Sequence, residues 1–548
     1  MTDKIPVGAS PQDVVVADGR VWVSVRPRAP VEAAPGGTIR IETPEALDSV
    51  DPALAYGPIS LAIVRATCAK LLDYPGGPGG AGARPAPELA EALPRRSDGG
   101  RTYTFAIRPG FRFSPPSDER VTARSLKYTI ERSLNPHMQS PASGLVRDLV
   151  GQSAYAEGRA RHISGVRASG NKLTLRLVEP SSSFLQRIAL SFFCAVPEGT
   201  PIDTEGLPEV PSAGPYYIAS HVPDEEIVLR RNPNYGGSHR GAANELRITL
   251  GVSQEKTVAR IEAGTIDYTP ITDNPRLARR LQERYGRESP NVEARNPRYV
   301  VQPMVAVDYL VFNTSRRPFS SARLRRAVNY ALDRRALARE GLLNGLPAQP
   351  TDQYLPPTMP GYRNSPIYPV RPDVARARRL AGPRRRSVLL YTAGFPSHLR
   401  FAEIVKVNLR AIGLDVEIKN VGDSLFTRID GRGEPFDMAV NGWASDYPDP
   451  TDVLSRLDGR TIREDGNINV AYFDDPAYNR RLDAATGLPS PARELALGKL
   501  DVDVARTAAP WAPVANDRTH DFFSARVGCQ RYNALYGVEL TSLCVRRE

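Results

Sequence analysis

No run of about eighteen apolar residues occurs in the 548-residue chain, so no segment has the length and character of a membrane-spanning helix. The opening residues, Met1 to Ser10, hold no apolar core of the kind a secretory leader carries. Taken literally, that predicts a cytoplasmic protein; otherwise the chain is a processed form, an incomplete one or part of a larger protein. Cysteine is scarce, with only Cys68, Cys194, Cys529 and Cys544. No CxxC spacing occurs, which speaks against zinc and redox motifs. The even count permits disulfides in an oxidising compartment, and Cys529 and Cys544 form the candidate bridge. Cys68 falls on the apolar side of a predicted helix and reads as a small buried hydrophobe. The six histidines, His137, His162, His221, His239, His398 and His520, are scattered without metal-ligand spacing, so each reads as a surface or satisfied core residue and no metal or cofactor is expected.

Catalytic signatures are missing too. There is no G-x-S-x-G elbow, no H-E-x-x-H pair and no P-loop. The segment from Tyr74 to Pro87 carries Gly76, Gly77, Gly79, Gly80 and Gly82, but no Gly-Lys-Ser/Thr ends it and no helical pattern follows closely. Asp474-Asp475 adjoins Pro476 and reads as a turn. No catalytic residue is assigned, and an enzyme is not expected.

What is present is ordinary globular material: 41% hydrophobic and 24% charged residues, enough to bury large cores. The length suggests roughly three to five domain-sized units. The net charge is +11. Its basic residues are dispersed and follow no nucleic-acid motif, so a solvated Arg-rich surface is the reading and no nucleic-acid partner is expected. The densest run, Arg376, Arg378, Arg379, Arg384, Arg385 and Arg386, surrounds Gly382-Pro383 and is read as an exposed connection.

Along the chain, Val14-Val15-Val16 and Val21-Trp22-Val23 flank Asp18-Gly19, a hairpin signal. The segment resembles one repeat of a YVTN/NHL-like β-propeller. No second copy exists, so it is either the remnant of a propeller or an ordinary N-terminal hairpin, followed by a Pro/Ala/Gly linker from Arg26 to Gly37. From there the pattern becomes α/β. Thr38 to Glu42 reads as a strand, and Ser60 to Leu72 as a helix with Leu61, Val64, Cys68 and Leu71 on one face. Thr122 is placed to cap a helix running to about Leu134. Farther on, Leu310 to Phe312 reads as a strand, and Ser320 or Ser321 opens a helix carrying Leu324, Ala327, Val328 and Ala331. Val388 to Tyr391, a helix closed by Gly413, and Leu414 to Ile418 form a strand–helix–strand unit, which implies parallel strands. Phe436 to Val440 is a further strand.

Four blocks then carry a resemblance. They are Gly99-Gly100-Arg101-Thr102-Tyr103-Thr104-Phe105 with Arg108-Pro109-Gly110, Phe113 and Val121-Thr122-Ala123; Ser212-Ala213-Gly214-Pro215-Tyr216 with Leu229 to Tyr235; Phe312-Asn313 with Pro318-Phe319 and Arg325 to Asp333; and Gly442-Trp443-Ala444-Ser445-Asp446-Tyr447-Pro448-Asp449-Pro450. In order and spacing they resemble solute-binding protein family 5, the extracytoplasmic peptide- and nickel-binding components of ABC transporters. The resemblance covers Gly37 to about Cys544.

The resemblance implies an α/β, periplasmic-binding-protein-like type II (cluster C) two-lobed clamp with an inserted subdomain in lobe one. The expected boundaries are 1–36 for the hairpin and linker, 37–306 for lobe I with an insertion at about 60–180, 307–507 for lobe II, and 508–548 for a return into lobe I through Trp511. It also implies a substrate-binding protein of an ABC importer, taking a peptide or similar small amine-bearing solute in the interlobe cleft. Its partners would be that solute and the permease subunits, and the protein a monomer located in the periplasmic space or on the outer face of the cell membrane. Asp446 would hold the ligand's amino group just past a strand, where open α/β sheets bind ligands; the alternative is a turn-capping aspartate. Trp443, and more weakly Tyr447, would wall the ligand. Tyr56 and Asp51 either line the cleft from the first lobe or shape a turn. Nickel does not fit the scattered histidines. The competing expectation is a ligand-sensing module of a larger regulatory protein, cytoplasmic and uncoupled from transport.

Overall fold

The computed structural model describes residues 11–17, 20–25, 33–34, 36–76, 82–237, 241–287 and 297–546. Two large sheets organise these residues. The first has seven strands in the order Tyr216–Val222, Glu226–Arg231, Glu245–Thr249, Thr38–Glu42, Tyr268–Pro270, Arg518–Phe523 and Tyr299–Pro303. The second has six, in the order Gln349–Pro350, Trp511–Asn516, Ala306–Phe312, Met438–Ala444, Arg386–Thr392 and Leu414–Asn420. A separate four-stranded antiparallel sheet runs between Arg95 and Arg176, inside the stretch expected as the insertion.

The local rules explain most elements. Thr122 accepts a hydrogen bond from the Ser125 amide, and Ser125 Oγ accepts one from the Thr122 amide. This reciprocal cap opens the helix Ala123–Ser133 and satisfies donors that a helix start otherwise leaves bare. Arg386–Thr392 and Leu414–Asn420 pair in parallel on either side of the helix Pro396–Arg410. Gly413, at φ +80°, turns the chain between helix and strand. Ala306–Phe312 is buried at all seven positions, as a central strand covered on both faces must be. Trp511 is stacked on Tyr309, with ring centroids 4.2 Å apart.

Several sequence expectations shift. The first helix spans Pro58–Thr67, not Ser60 to Leu72. Cys68 ends it in extended backbone and is bonded to Cys194 rather than standing as a free hydrophobe. Cys529 and Cys544 are also bonded. The strand before Asp446 runs Met438–Ala444, later than Phe436 to Val440. Arg376, Arg378 and Arg379 sit on a helix, Val374–Ala381, and Arg386 begins a strand, so only Gly382 to Arg385 form a connection. Trp511–Asn516 pairs with Ala306–Phe312 in the second sheet, and the return to the first sheet comes at Asp517, later than 508. The strand Trp511–Asn516 is buried at all six positions, and an apolar segment does not state which sheet covers it. Pro11–Ala17 and Arg20–Val25 pair as a two-stranded antiparallel sheet. The Asp18-Gly19 turn, most of the linker and Gly77, Gly79 and Gly80 lie outside the described residues.

The chain passes between the two sheets at Met304–Val305 and at Asp517, and the Met304 amide donates to the Asp517 carbonyl at 3.0 Å. These adjoining crossings make the junction between two lobes.

Candidate ligand-binding cleft

A cavity of about 730 Å³ lies between the lobes. Its walls are mainly apolar. From the first lobe come Ile59, Leu61 and Phe192; from the second, Leu343, Phe395 and Phe426. Phe395 and Phe426 are 55% and 57% exposed, and both line this space. A concave, largely apolar space with a few polar groups is the usual form of a small-ligand site.

Asp446 lines the cavity from the second lobe. It follows the strand Met438–Ala444 immediately, in a loop pinned at both ends. The Ser445 amide donates to the Val305 carbonyl at 2.8 Å. On the other side, Asp449 accepts two hydrogen bonds from Arg493 at 2.8 and 2.7 Å, in a pair that is 3% exposed on each side. Across the cavity the Tyr56 hydroxyl donates to Asp446 Oδ1 at 2.7 Å. Tyr56 is itself positioned: Asp48 Oδ2 accepts from the Tyr56 and Gly57 amides at 2.7 and 2.8 Å, and the Tyr56 ring stacks on Phe192.

Burial pushes the Asp446 carboxyl above the ordinary carboxylate value, while the Tyr56 hydrogen bond and the nearby Arg456 charge oppose the shift. Asp452 stands behind it. Burial pushes Asp452 up to about 7, with the Arg456 charge opposing and the Asp446 charge adding. A desolvated carboxylate with one hydroxyl donor is under-solvated, and a cationic group would relieve that cost through charge-assisted hydrogen bonds.

Trp443 and Tyr447 are not among the residues lining the cavity. The Trp443 indole N–H donates to Asp452 Oδ2 at 2.7 Å, and the Arg456 guanidinium covers the ring face at 3.1 Å from its centroid. These partners turn the indole toward the second lobe's core, so it supports the acid from behind. Tyr447 packs against the apolar cluster of the first lobe and its insertion. Asp51 is buried in a two-pronged pair with Arg132 at 2.8 and 2.6 Å and does not reach the cleft.

Sequence reasoning missed Glu45, His398, the loop Leu342–Gly345, Asp521 and Leu535–Val538, all of which line the cavity. None carries a local signature; each arrives by long-range packing. Among the described residues no group of three or more His, Cys, Asp or Glu is placed to hold a metal ion, and no helix is long and apolar enough to cross a membrane.

Two sheet-based lobes facing each other across a cavity, with an acid at the carboxyl end of a strand on one wall, define a type II periplasmic-binding-protein-like clamp. The chain belongs to the bacterial extracellular solute-binding proteins, family 5, whose model matches residues 84–464. It is 24% identical over 501 residues to heme-binding protein A of Haemophilus influenzae, covering 83% of this chain and 84% of the relative. It is 25% identical over 441 residues to the periplasmic oligopeptide-binding protein OppA of Escherichia coli, covering 75% and 76%. The solved structure of clavulanic acid biosynthesis oligopeptide binding protein 2 superposes with a TM-score of 0.82 at 25% identity, covering 94% and 96% of the two chains. The propeller likeness of the first residues gains no support from these relatives, and its strands stand as a two-stranded antiparallel sheet.

Proposed function

We propose that this protein captures a short peptide, or a similar small amine-bearing solute, and delivers it to the permease of an ABC importer. One observation carries the reading. Asp446 presents a desolvated carboxylate at the wall of the interlobe cavity, just past a strand, where a ligand ammonium would complete its hydrogen bonding. The peptide-binding names borne by several relatives support the same choice.

In this reading the protein acts outside the cytoplasm as a monomer and performs no catalytic step. Two cysteine pairs at bonding geometry support an oxidising location. Its work is closure: hinged lobes expel water from the ligand, which strengthens every polar contact inside.

Isothermal titration with a mixed pool of di- to pentapeptides tests the assignment. Binding should weaken at least tenfold in Asp446→Ala, which corresponds to about 1.4 kcal/mol. Equal affinity in the variant would remove Asp446 from the site.

A further inference from the structure

The chain carries 72 Lys and Arg residues against 61 Asp and Glu, yet no Lys or Arg is among the described residues lining the cavity. Five acids are: Glu45, Asp273, Asp423, Asp446 and Asp521. The remaining titratable nitrogens on the wall are His398 and His520, and burial pulls each down to about 4, so both are neutral at pH 7. The interior of the clamp is therefore charged opposite to the protein as a whole. Arg456, whose charge reaches Asp446, lies over the Trp443 ring, and Arg518, whose charge reaches His520, donates to Gln349.

Within this acidic lining, Asp521 stands apart. It sits on the strand Arg518–Phe523 of the first lobe and is 3% exposed. Its Oδ1 accepts from the Tyr268 hydroxyl at 2.8 Å. For its Oδ2 the one donor within reach is the hydroxyl of Thr519, which lines the cavity too. Even a rotated Thr519 hydroxyl would supply one donor to a carboxylate with about four acceptor sites. Burial pushes Asp521 up to about 6, with the neighbouring Glu45 adding a smaller upward push, and leaves it mostly ionised at pH 7. Glu45 is also raised by burial. Two acids on one cavity wall, Asp521 buried and Glu45 partly so, with no Lys or Arg among the described lining residues, are costly unless a guest supplies the charge.

We infer that the cleft selects a ligand with a second positive charge, with Glu45 and Asp521 receiving a lysine or arginine side chain of the peptide while Asp446 holds its amino terminus. The inference rests on the peptide reading above and narrows it to basic peptides.

Titration with three tripeptide pools tests it, the pools differing in one residue type: basic (Lys or Arg), alanine, or glutamate. The basic pool should bind the parent at least tenfold tighter than the alanine pool, and the glutamate pool weaker than both. In Glu45→Gln/Asp521→Asn the gap between basic and alanine pools should fall within about threefold, with alanine-pool affinity retained as the sign of an intact cleft. Equal binding of basic and alanine pools by the parent overturns this inference and leaves the peptide reading standing. No binding of any pool overturns both. A gap that persists in the double variant also overturns it, because the charge selection would then lie elsewhere.

Discussion

The Tyr56 hydroxyl of the first lobe donates to Asp446 Oδ1 of the second at 2.7 Å, across 390 positions of sequence. This bond does two things. It ties the lobes, and it engages one of the two carboxylate oxygens of the acid. Tyr56→Phe keeps the ring on Phe192 and removes only the donor. A hydrogen bond to a charged group contributes about 1.5–3 kcal/mol. The ligand-free variant should therefore populate wider lobe openings, read by solution scattering as a larger radius of gyration, while the ligand-saturated forms of variant and parent coincide. Identical ligand-free profiles would show that the tyrosine does not hold the lobes.

The wall that carries Tyr56 is fastened behind. Cys68 closes the helix Pro58–Thr67 and is bonded to Cys194, two positions past Phe192. This bond closes a loop of 126 positions, whereas Cys529–Cys544 closes one of 15. Loop-entropy reasoning assigns about 5 kcal/mol to the longer and about 3 kcal/mol to the shorter. Cys68→Ala/Cys194→Ala should thus lower the melting temperature more than Cys529→Ala/Cys544→Ala. Non-reducing peptide mapping should recover both pairs; free thiols at Cys529 and Cys544 would refute that bridge.

Arg132 and Asp51 form an ion pair almost without solvent, 1% and 0% exposed. Removing one member leaves the other charged and buried, a cost of about 3–5 kcal/mol. Arg132→Ala should lose that much in urea unfolding. Because Asp51 does not line the cavity, peptide affinity of the folded fraction should stay within twofold. A variant that unfolds at the parent's urea midpoint would refute the structural role.

Asp308 and Asp517 meet at the lobe junction. Their outer oxygens accept from the Leu342 and Leu343 amides at 2.9 and 3.4 Å, while neither Oδ1 finds a donor from another residue. Two facing carboxyls hold together only if one keeps a proton. Burial, then the Asp517 charge, pushes Asp308 well above the ordinary range, and burial pushes Asp517 up to about 6 from 3.8. The folded pKa lies above the unfolded one, so the folded state holds a proton that the unfolded chain releases. Asp308 keeps the proton the pair shares, while the contribution of the Asp517 proton is fully present below pH 3.8 and is lost as pH rises through about 6. Asp517→Asn supplies a permanent N–H donor in place of the proton. Its stability relative to the parent should therefore rise by about 2–3 kcal/mol between pH 4 and pH 7, followed by thermal melts across pH. Parallel pH curves for the two proteins would exclude the raised Asp517 carboxyl.

The linear chain by itself determined a good deal here. Alternating Leu414, Val416 and Ile418 behind a helix ended by Gly413 announced a parallel unit, and Thr122 announced its helix start. These are legible because helix and strand periods, caps and turn glycines act over a few residues. The block from Gly442 to Pro450 pointed to Asp446 through its resemblance to solute-binding protein family 5; the local pattern showed only a strand ahead of the acid. Only the tertiary structure decided what each side chain faces. It turned Trp443 onto Asp452 and Arg456, buried Asp51 on Arg132, joined Cys68 to Cys194, put Trp511–Asn516 in the second sheet, and brought Glu45 and Asp521 to one wall. Periodicity states that a residue is buried; the partner that buries it is chosen by the packing of surfaces far apart in sequence, where no local pattern reaches.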